Sequence, residues 1–463
     1  MSNALFVCEG SLTMNVDTDT LLFSKRDLRR LIIPLIIEQT LSITIGMADS
    51  MMVSNVGEAA ISGINLVDSI NNLLIGIFSA LATGGTVIVS QYLGRRERGQ
   101  ANQAAKQLLL AVTCISLVIM AITIIGNSSI LGLVYANIDA EVMKNAETYF
   151  FLSALSYPFL AVYNSGAALF RSQGNSQVSM YTALVVNVVN VGLNALFIYG
   201  FRWGVAGAGT ATLIARATAA VVVMILLRNE QNPIYVRQLY KIRPHFQTIR
   251  RILNIGIPTG LENGIFQIGK ILVATQVAGF GTAAIAANAV ASSMAGFQCI
   301  PGNGISLAII TVVGQCVGAD RYEEARYYVK KLFTYSYTIL IGLNLIMFAA
   351  YPLILGLYNL QPATESVAWT LSVAHGIGAC TIWALSFSLP NVLRAAGDVR
   401  FTMIVSVTSM WVFRIMLCML FSYFTDFGIY GVWAAMFADW LCRSACFVWR
   451  YRSNRWQGKK AIE

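Results

Sequence analysis

The chain has 463 residues, of which 56% are hydrophobic and only 12% charged, whereas a soluble domain carries about 25% charged residues. That balance excludes a string of soluble domains. The net charge of +10 does not argue for a nucleic-acid partner either, because the basic residues gather in alternate loops, as they do in membrane proteins.

Residues 1–24 are polar and lack the charged, apolar and small-residue succession of a cleaved signal. Met14 offers an alternative start, and the chain is expected to enter the bilayer uncleaved through its first span. Apolar runs of bilayer-crossing length, about 17–25 residues, then predict twelve spans. They fall at 31–53, 64–90, 106–126, 147–169, 178–200, 204–227, 252–277, 286–313, 329–350, 367–393, 402–423 and 428–449. Glycine and proline inside such runs are compatible with membrane helices. The fold class is therefore an all-α polytopic membrane protein with twelve transmembrane helices.

Sorting Lys and Arg by loop gives 27 on one side, the set including Arg443 and the basic residues that follow it. Only Lys144 and Arg202 lie on the other side, and Arg216, Lys270 and Arg414 lie within spans. The positive-inside rule places both termini and the 228–251 loop in the cytoplasm. That loop separates an N-terminal six-helix lobe, 25–227, from a C-terminal one, 252–450, with a basic cytoplasmic tail at 451–463.

The lobes are copies. The stretch PLIIEQTLSITIGMADSMMVSNVGEAAI, Pro34–Ile61, returns 224 residues later as PTGLENGIFQIGKILVATQVAGFGTAAI, Pro258–Ile285. Gly94 matches Gly318, and Gly204-Val205-Ala206-Gly207 matches Gly428-Ile429-Tyr430-Gly431. Each copy has an even number of spans, so both enter from the same side and form parallel, pseudo-symmetric repeats. This is the design of a secondary transporter working by alternating access. No Walker loop, zinc motif or nucleophile constellation is present, so no enzyme activity and no cofactor are expected.

Polar groups within spans are costly, about 2.5–3.5 kcal/mol for a charge at the helix centre on insertion scales. Glu38 and Asp49 lie eleven residues apart on one face of span 1, about 16 Å along the axis. Asn187, Asn190 and Asn194 share a face of span 5. Glu38 and Glu262 each follow a proline by four residues; they either serve the backbone loosened by that proline or contact cation or substrate. Lys270 stands where the first copy has Gly46 and is expected to pair with Glu38 or Glu262, permanently or until substrate or proton replaces it. Glu38, Asn187, Glu262 and Lys270 are thus candidates for cavity or coupling roles. Arg216 and Arg414 are read as structural, and Asp68 and Asp439 as span-end residues reaching water or lipid headgroups.

Several motifs together resemble the multidrug and toxic compound extrusion (MATE) family, in particular its bacterial branch of DNA-damage-inducible F proteins. They are Pro34, Asp49 and Gly57; Gln91-Tyr92-Leu93-Gly94; Arg171-Ser172-Gln173-Gly174; Asn190 to Ile198; Gly207 to Thr212; and Arg394-Ala395-Ala396-Gly397-Asp398. The resemblance implies a multi-pass antiporter of the cell membrane. It would use H+ or Na+ entry to export small organic compounds, cationic or amphipathic, as a monomer among membrane lipids. It assigns cation or proton binding to Asp49, Asn190, Asn194 and Thr212, which would also be the ligands of Na+. Asn194 departs from the carboxylate usual in relatives, which favours H+ over Na+. The acid site of the C-terminal lobe is expected to be missing, since its span-7 place falls near Phe266 and span 10 offers only His375. The alternative is a flippase for lipid-linked or polysaccharide precursors, whose relatives share the lobed design.

Overall fold

A computed structural model describes residues 21–135, 138–237, 243–356 and 360–462. Most of the polar N-terminal segment, including Met14, and the loop residues 238–242 with Lys241 lie outside the described residues. Among those described, every regular element is helical.

Each of the twelve predicted spans corresponds to a helix or to a pair of abutting helices. The first lobe supplies α1 (Lys25–Ser54), α2 (Glu58–Gly94), α3 (Arg98–Ile125), α4 (Ala140–Ser172), α5 (Ser176–Gly200) and α6 (Gly204–Leu227). The second supplies α7 (Phe246–Ala278), α8 (Thr282–Gln298 and Ile300–Gly318), α9 (Tyr322–Gly356), α10 (Pro362–Ala395), α11 (Val399–Phe424) and α12 (Ile429–Arg452). A short helix that hydropathy alone did not single out, Asn127–Val134, lies between α3 and α4. Among the described residues, three helices contain π-helical turns: Ala195–Gly200 in α5, Ala379–Trp383 in α10 and Met410–Met416 in α11. Such turns cluster at functional positions because they widen the helix and redirect side chains.

The chain divides into two compact units. One comprises residues 29–263; the other comprises 264–461 with 21–28. The division runs through α7, whose first half packs with the first unit. The reason is glycine: a Cβ on Gly84 of α2 would sit 2.5 Å from the carbonyl oxygen of Ile252 and 3.0 Å from the Gly256 nitrogen. Small residues let two backbones meet where lipid offers no hydrophobic drive to bring them together. At the centre of the first unit is α4, which packs on α2, α3, α5 and α6. Val67, Tyr149, Phe150 and Ala208 are among the buried residues that fill its core.

In the second unit α8 packs on α9 and α10, and α12 on α10 and α11. Its basic end is part of the fold. Asp398 accepts from Arg450 Nε and Lys459 Nζ, each at 2.7 Å, and Trp456 is fully buried, stacked on Tyr451 at 5.7 Å. Gly397 takes φ +96°, and a Cβ there would lie 2.0 Å from the Lys459 carbonyl oxygen. Arg443, which loop counting placed with the cytoplasmic tail, lies inside α12 and is buried.

The contact between α2 and α7 yields a direct prediction. Gly84→Val should lower the thermal unfolding temperature of the purified protein, by an amount equivalent to about 1–3 kcal/mol of overpacking. Gly46→Ala, which meets nothing within 4 Å, should leave it unchanged or raise stability by up to about 1 kcal/mol. Equal effects at the two positions would contradict the close approach.

Candidate ion-coupling site

A seam of side-chain hydrogen bonds joins α1 to α5 along their length. Ser176 Oγ donates to the carbonyls of Leu31 at 2.6 Å and Arg30 at 3.0 Å. Ser179 Oγ donates to Glu38 Oε2 at 2.6 Å, and Asn187 Nδ2 to the Leu41 carbonyl at 3.0 Å. Asn194 Nδ2 donates to Asp49 Oδ1 at 2.7 Å. Tyr199 OH donates to the Met52 carbonyl at 3.3 Å and accepts from Asn55 Nδ2 at 3.0 Å. The partners stay between 141 and 147 residues apart, so the helices run parallel and in register.

The seam also gives the partners of Glu38. Pro34 has no N–H, which strips the Arg30 carbonyl of its helical donor. Ser176, and not Glu38, supplies the replacement. Glu38 is instead held by Arg171, whose Nη1 lies 2.9 Å from Oε1, and by Ser179. A buried carboxylate with a guanidinium and a hydroxyl on its two oxygens is a satisfied ion pair. Asn187 likewise spends its amide on the backbone of α1, as interhelical glue.

Asp49, Asn190, Asn194 and Thr212 come together. Asn194 Nδ2 also reaches Asn190 Oδ1 at 3.1 Å, and Asn190 Nδ2 reaches Thr212 Oγ1 at 3.5 Å. Both asparagines are buried, whereas Asp49 and Thr212 are half-buried. Asn194 Oδ1 is buried and has no donor. An unsatisfied buried acceptor costs about 1–3 kcal/mol, so the chain of amides is one hydrogen short. Asn194 directly precedes the π-helical turn of α5.

The site is larger than the motif. Asp68 lies ten residues into α2, half-buried, away from the helix end. It is close enough to Asp49 for the two carboxylates to interact, and Arg216 faces both. Asn71 Nδ2 lies 3.4 Å from Asp68 Oδ1 and 3.3 Å from Ser153 Oγ, and Tyr157 OH donates to Asn71 Oδ1 at 2.9 Å. Tyr149 is buried close to Asp68, and Arg216 Nη1 donates to Ser156 Oγ at 2.7 Å. The signal available in the sequence was the i, i+3 spacing of Asp68 and Asn71.

Glu262 is buried on the first half of α7. Lys270, in the other unit, is exposed, with Nζ 5.3 Å from the Phe266 ring centroid. Its neighbours there are Arg414 and Cys299. The carboxylate of Glu38, one of the two partners expected for it, is taken by Arg171 and Ser179.

Residues 34–196 and 258–420 each match the MatE family model. The chain is 26% identical over 431 residues to the uncharacterized transporter YisQ of Bacillus subtilis, covering 91% of this chain and 93% of the relative. It is 23% identical to a probable multidrug resistance protein, NorM, of Thermotoga maritima, covering 95% and 94%. Among solved structures, one of MATE in its bent conformation superposes with a TM-score of 0.83 at 19% identity, covering 94% of this chain and 97% of the other. An outward-facing multidrug resistance transporter of the same family gives 0.84 at 18%, covering 93% and 96%.

Breaking one side of a buried ion pair is costly, about 3–5 kcal/mol. Glu38→Ala and Arg171→Ala should therefore each sharply lower the unfolding temperature and folded yield, and the double variant should lose less than the two losses combined. Strict additivity in that thermal unfolding cycle would show that Glu38 and Arg171 act independently.

Proposed function

Since the chain belongs to the MatE family of multidrug efflux transporters, we propose that it is an H+-coupled antiporter exporting cationic or amphipathic organic compounds, with Asp49 as the proton carrier. The observation that carries this reading is the buried, donor-less Asn194 Oδ1 beside Asp49. When ionised, Asp49 accepts from the Asn194 amide. When it takes up a proton, its carboxyl group becomes a donor, and rotation of the Asn194 amide lets the carbonyl accept that hydrogen. The missing hydrogen is supplied by the coupling event itself. An alkali cation would fit less well, because it needs converging oxygens and both asparagines present N–H groups along the chain.

Asp49 is also a rung of the α1–α5 seam, so its protonation changes how α1 is held. Uptake of substrate then competes with the proton for the same carboxylate. Asp68 and Arg216 set the charge of the surroundings, two carboxylates against one guanidinium. The driving force suffices: one charge crossing 100 mV is worth about 2.3 kcal/mol, and each pH unit adds about 1.4 kcal/mol. The positive-inside distribution orients both termini to the cytoplasm in this scheme. A flippase for lipid-linked precursors is the weaker reading, because relatives such as the Thermotoga protein are named for multidrug resistance.

Transport of ethidium into everted vesicles, driven separately by pH and by Na+ gradients, tests the proposal. The pH gradient should support transport and the Na+ gradient should not. Asp49→Asn should abolish coupled transport while expressing normally. Undiminished pH-driven transport in that variant would end the case for Asp49 as carrier.

A further inference from the structure

The first unit holds a second carboxylate and a guanidinium beside Asp49, and a web of hydrogen bonds fixes both in place. Asp68 Oδ1 on α2 lies 3.4 Å from Asn71 Nδ2, which lies 3.3 Å from Ser153 Oγ on α4. The Ser153 carbonyl accepts from Ser156 Oγ at 2.6 Å, and that hydroxyl accepts from Arg216 Nη1 of α6 at 2.7 Å. Tyr157 OH closes the web on Asn71 Oδ1 at 2.9 Å. Asn71, Ser153, Ser156 and Tyr157 are all buried, so three helices set the positions of Asp68 and Arg216 through neutral groups. Arg216 also follows Thr212 by four residues, one turn along the same face of α6. It faces both carboxylates and, among the described residues, is bonded to neither.

The charges around this web can be counted. Tyr149 and Tyr157 of α4 face Asp68 and Arg216, and a tyrosine is neutral at physiological pH. From α5 come the neutral amides of Asn190 and Asn194. Glu38, farther along α1, is paired with Arg171. What remains is two carboxylates against one guanidinium, a single net negative charge. A guanidinium does not give up its proton. One proton therefore makes the group neutral. A second would leave the guanidinium inside the lobe without a counter-charge, which is the costly state for a buried ion.

We propose that Asp68 and Arg216 are positioning residues that fix the coupling stoichiometry at one proton, Arg216 holding Asp68 ionised so that Asp49 alone is protonated. Once Asp49 is neutral, Asp68 is the counter-charge left to Arg216. The inference rests on Asp49 as the proton carrier and adds the number of protons carried. All of its residues belong to one unit.

Infrared difference spectroscopy of the full-length protein in liposomes tests it. The C=O band of protonated carboxyl groups is followed on acidification, over the pH range in which the native band grows. Charge balance sets each result. The native protein should show one such carboxyl group, lost in Asp49→Asn. Arg216→Gln leaves two carboxylates without a cation, and the band should grow about twofold. Asp68→Asn leaves Asp49 against Arg216, and the band should be lost although Asp49 is intact. The double variant Asp68→Asn/Arg216→Gln should restore it, a recovery that loss of structure cannot produce, and Arg216→Lys should keep it. An unchanged band in both Asp68→Asn and Arg216→Gln, with loss in Asp49→Asn, would overturn the inference and leave Asp49 as carrier. So would absence of the band from a double variant whose unfolding temperature is unchanged. A native band that persists in Asp49→Asn would remove the carrier, and this inference with it.

Discussion

The parallel seam between α1 and α5 is the interaction on which the first unit turns. Hydrocarbon offers no partner to a polar group, so each one in a span must be satisfied from within the chain. Interhelical hydrogen bonds in bilayers average about 0.6 kcal/mol and reach about 1.7 kcal/mol. A neutral rung alone therefore contributes little to holding α1. Asp49 and Glu38 are the two ionisable rungs, and they are built differently. Glu38 is closed off by Arg171 and Ser179, whereas Asp49 has an amide partner whose own carbonyl is open. A proton arriving in this seam therefore finds one place where it completes a hydrogen-bond chain and another where it would break an ion pair.

Much of this was legible before any coordinates. Hydropathy and the side-by-side counting of Lys and Arg are local signals summed over long segments, and they are robust to errors at helix ends. The match of all twelve spans follows from that. Asn187, Asn190 and Asn194 announced a polar face by their spacing, and the resemblance to relatives joined Asp49 and Thr212 to it. Partners were another matter. Glu38 and Arg171 are 133 residues apart, and no periodicity pairs them; the proline four residues before Glu38 pointed to the wrong neighbour, because Ser176 comes from another helix. Asp68 was assigned to a span end since its helix begins earlier than hydropathy suggests. Arg443 was counted with a tail because its charge outweighed the helix around it, and a buried cation over an aromatic ring leaves no mark in composition.

The helix pair equivalent to α1 and α5 in the second copy is α7 and α11, and its chemistry differs. A Cβ on Gly269 would meet Met410 at 2.1 Å, so contact there is apolar, and Phe266 lies beneath Arg414. At the 224-residue offset, Arg414 takes the place of Asn190, Lys270 that of Gly46, and Val273 that of Asp49. Matched helix positions thus carry a carboxylate with amides in one copy and guanidinium with ammonium in the other.

That divergence has a consequence for ancestry. Two separate copies of a six-helix chain, paired in the membrane, would carry every substitution twice. A lysine gained opposite a phenylalanine would appear in both subunits, and an aspartate could not be kept in one while valine replaced it in the other. Joined end to end in one gene, the copies accumulate changes independently. Lys270 and Asp49 therefore record substitutions that became heritable separately only once the coding segment had been duplicated.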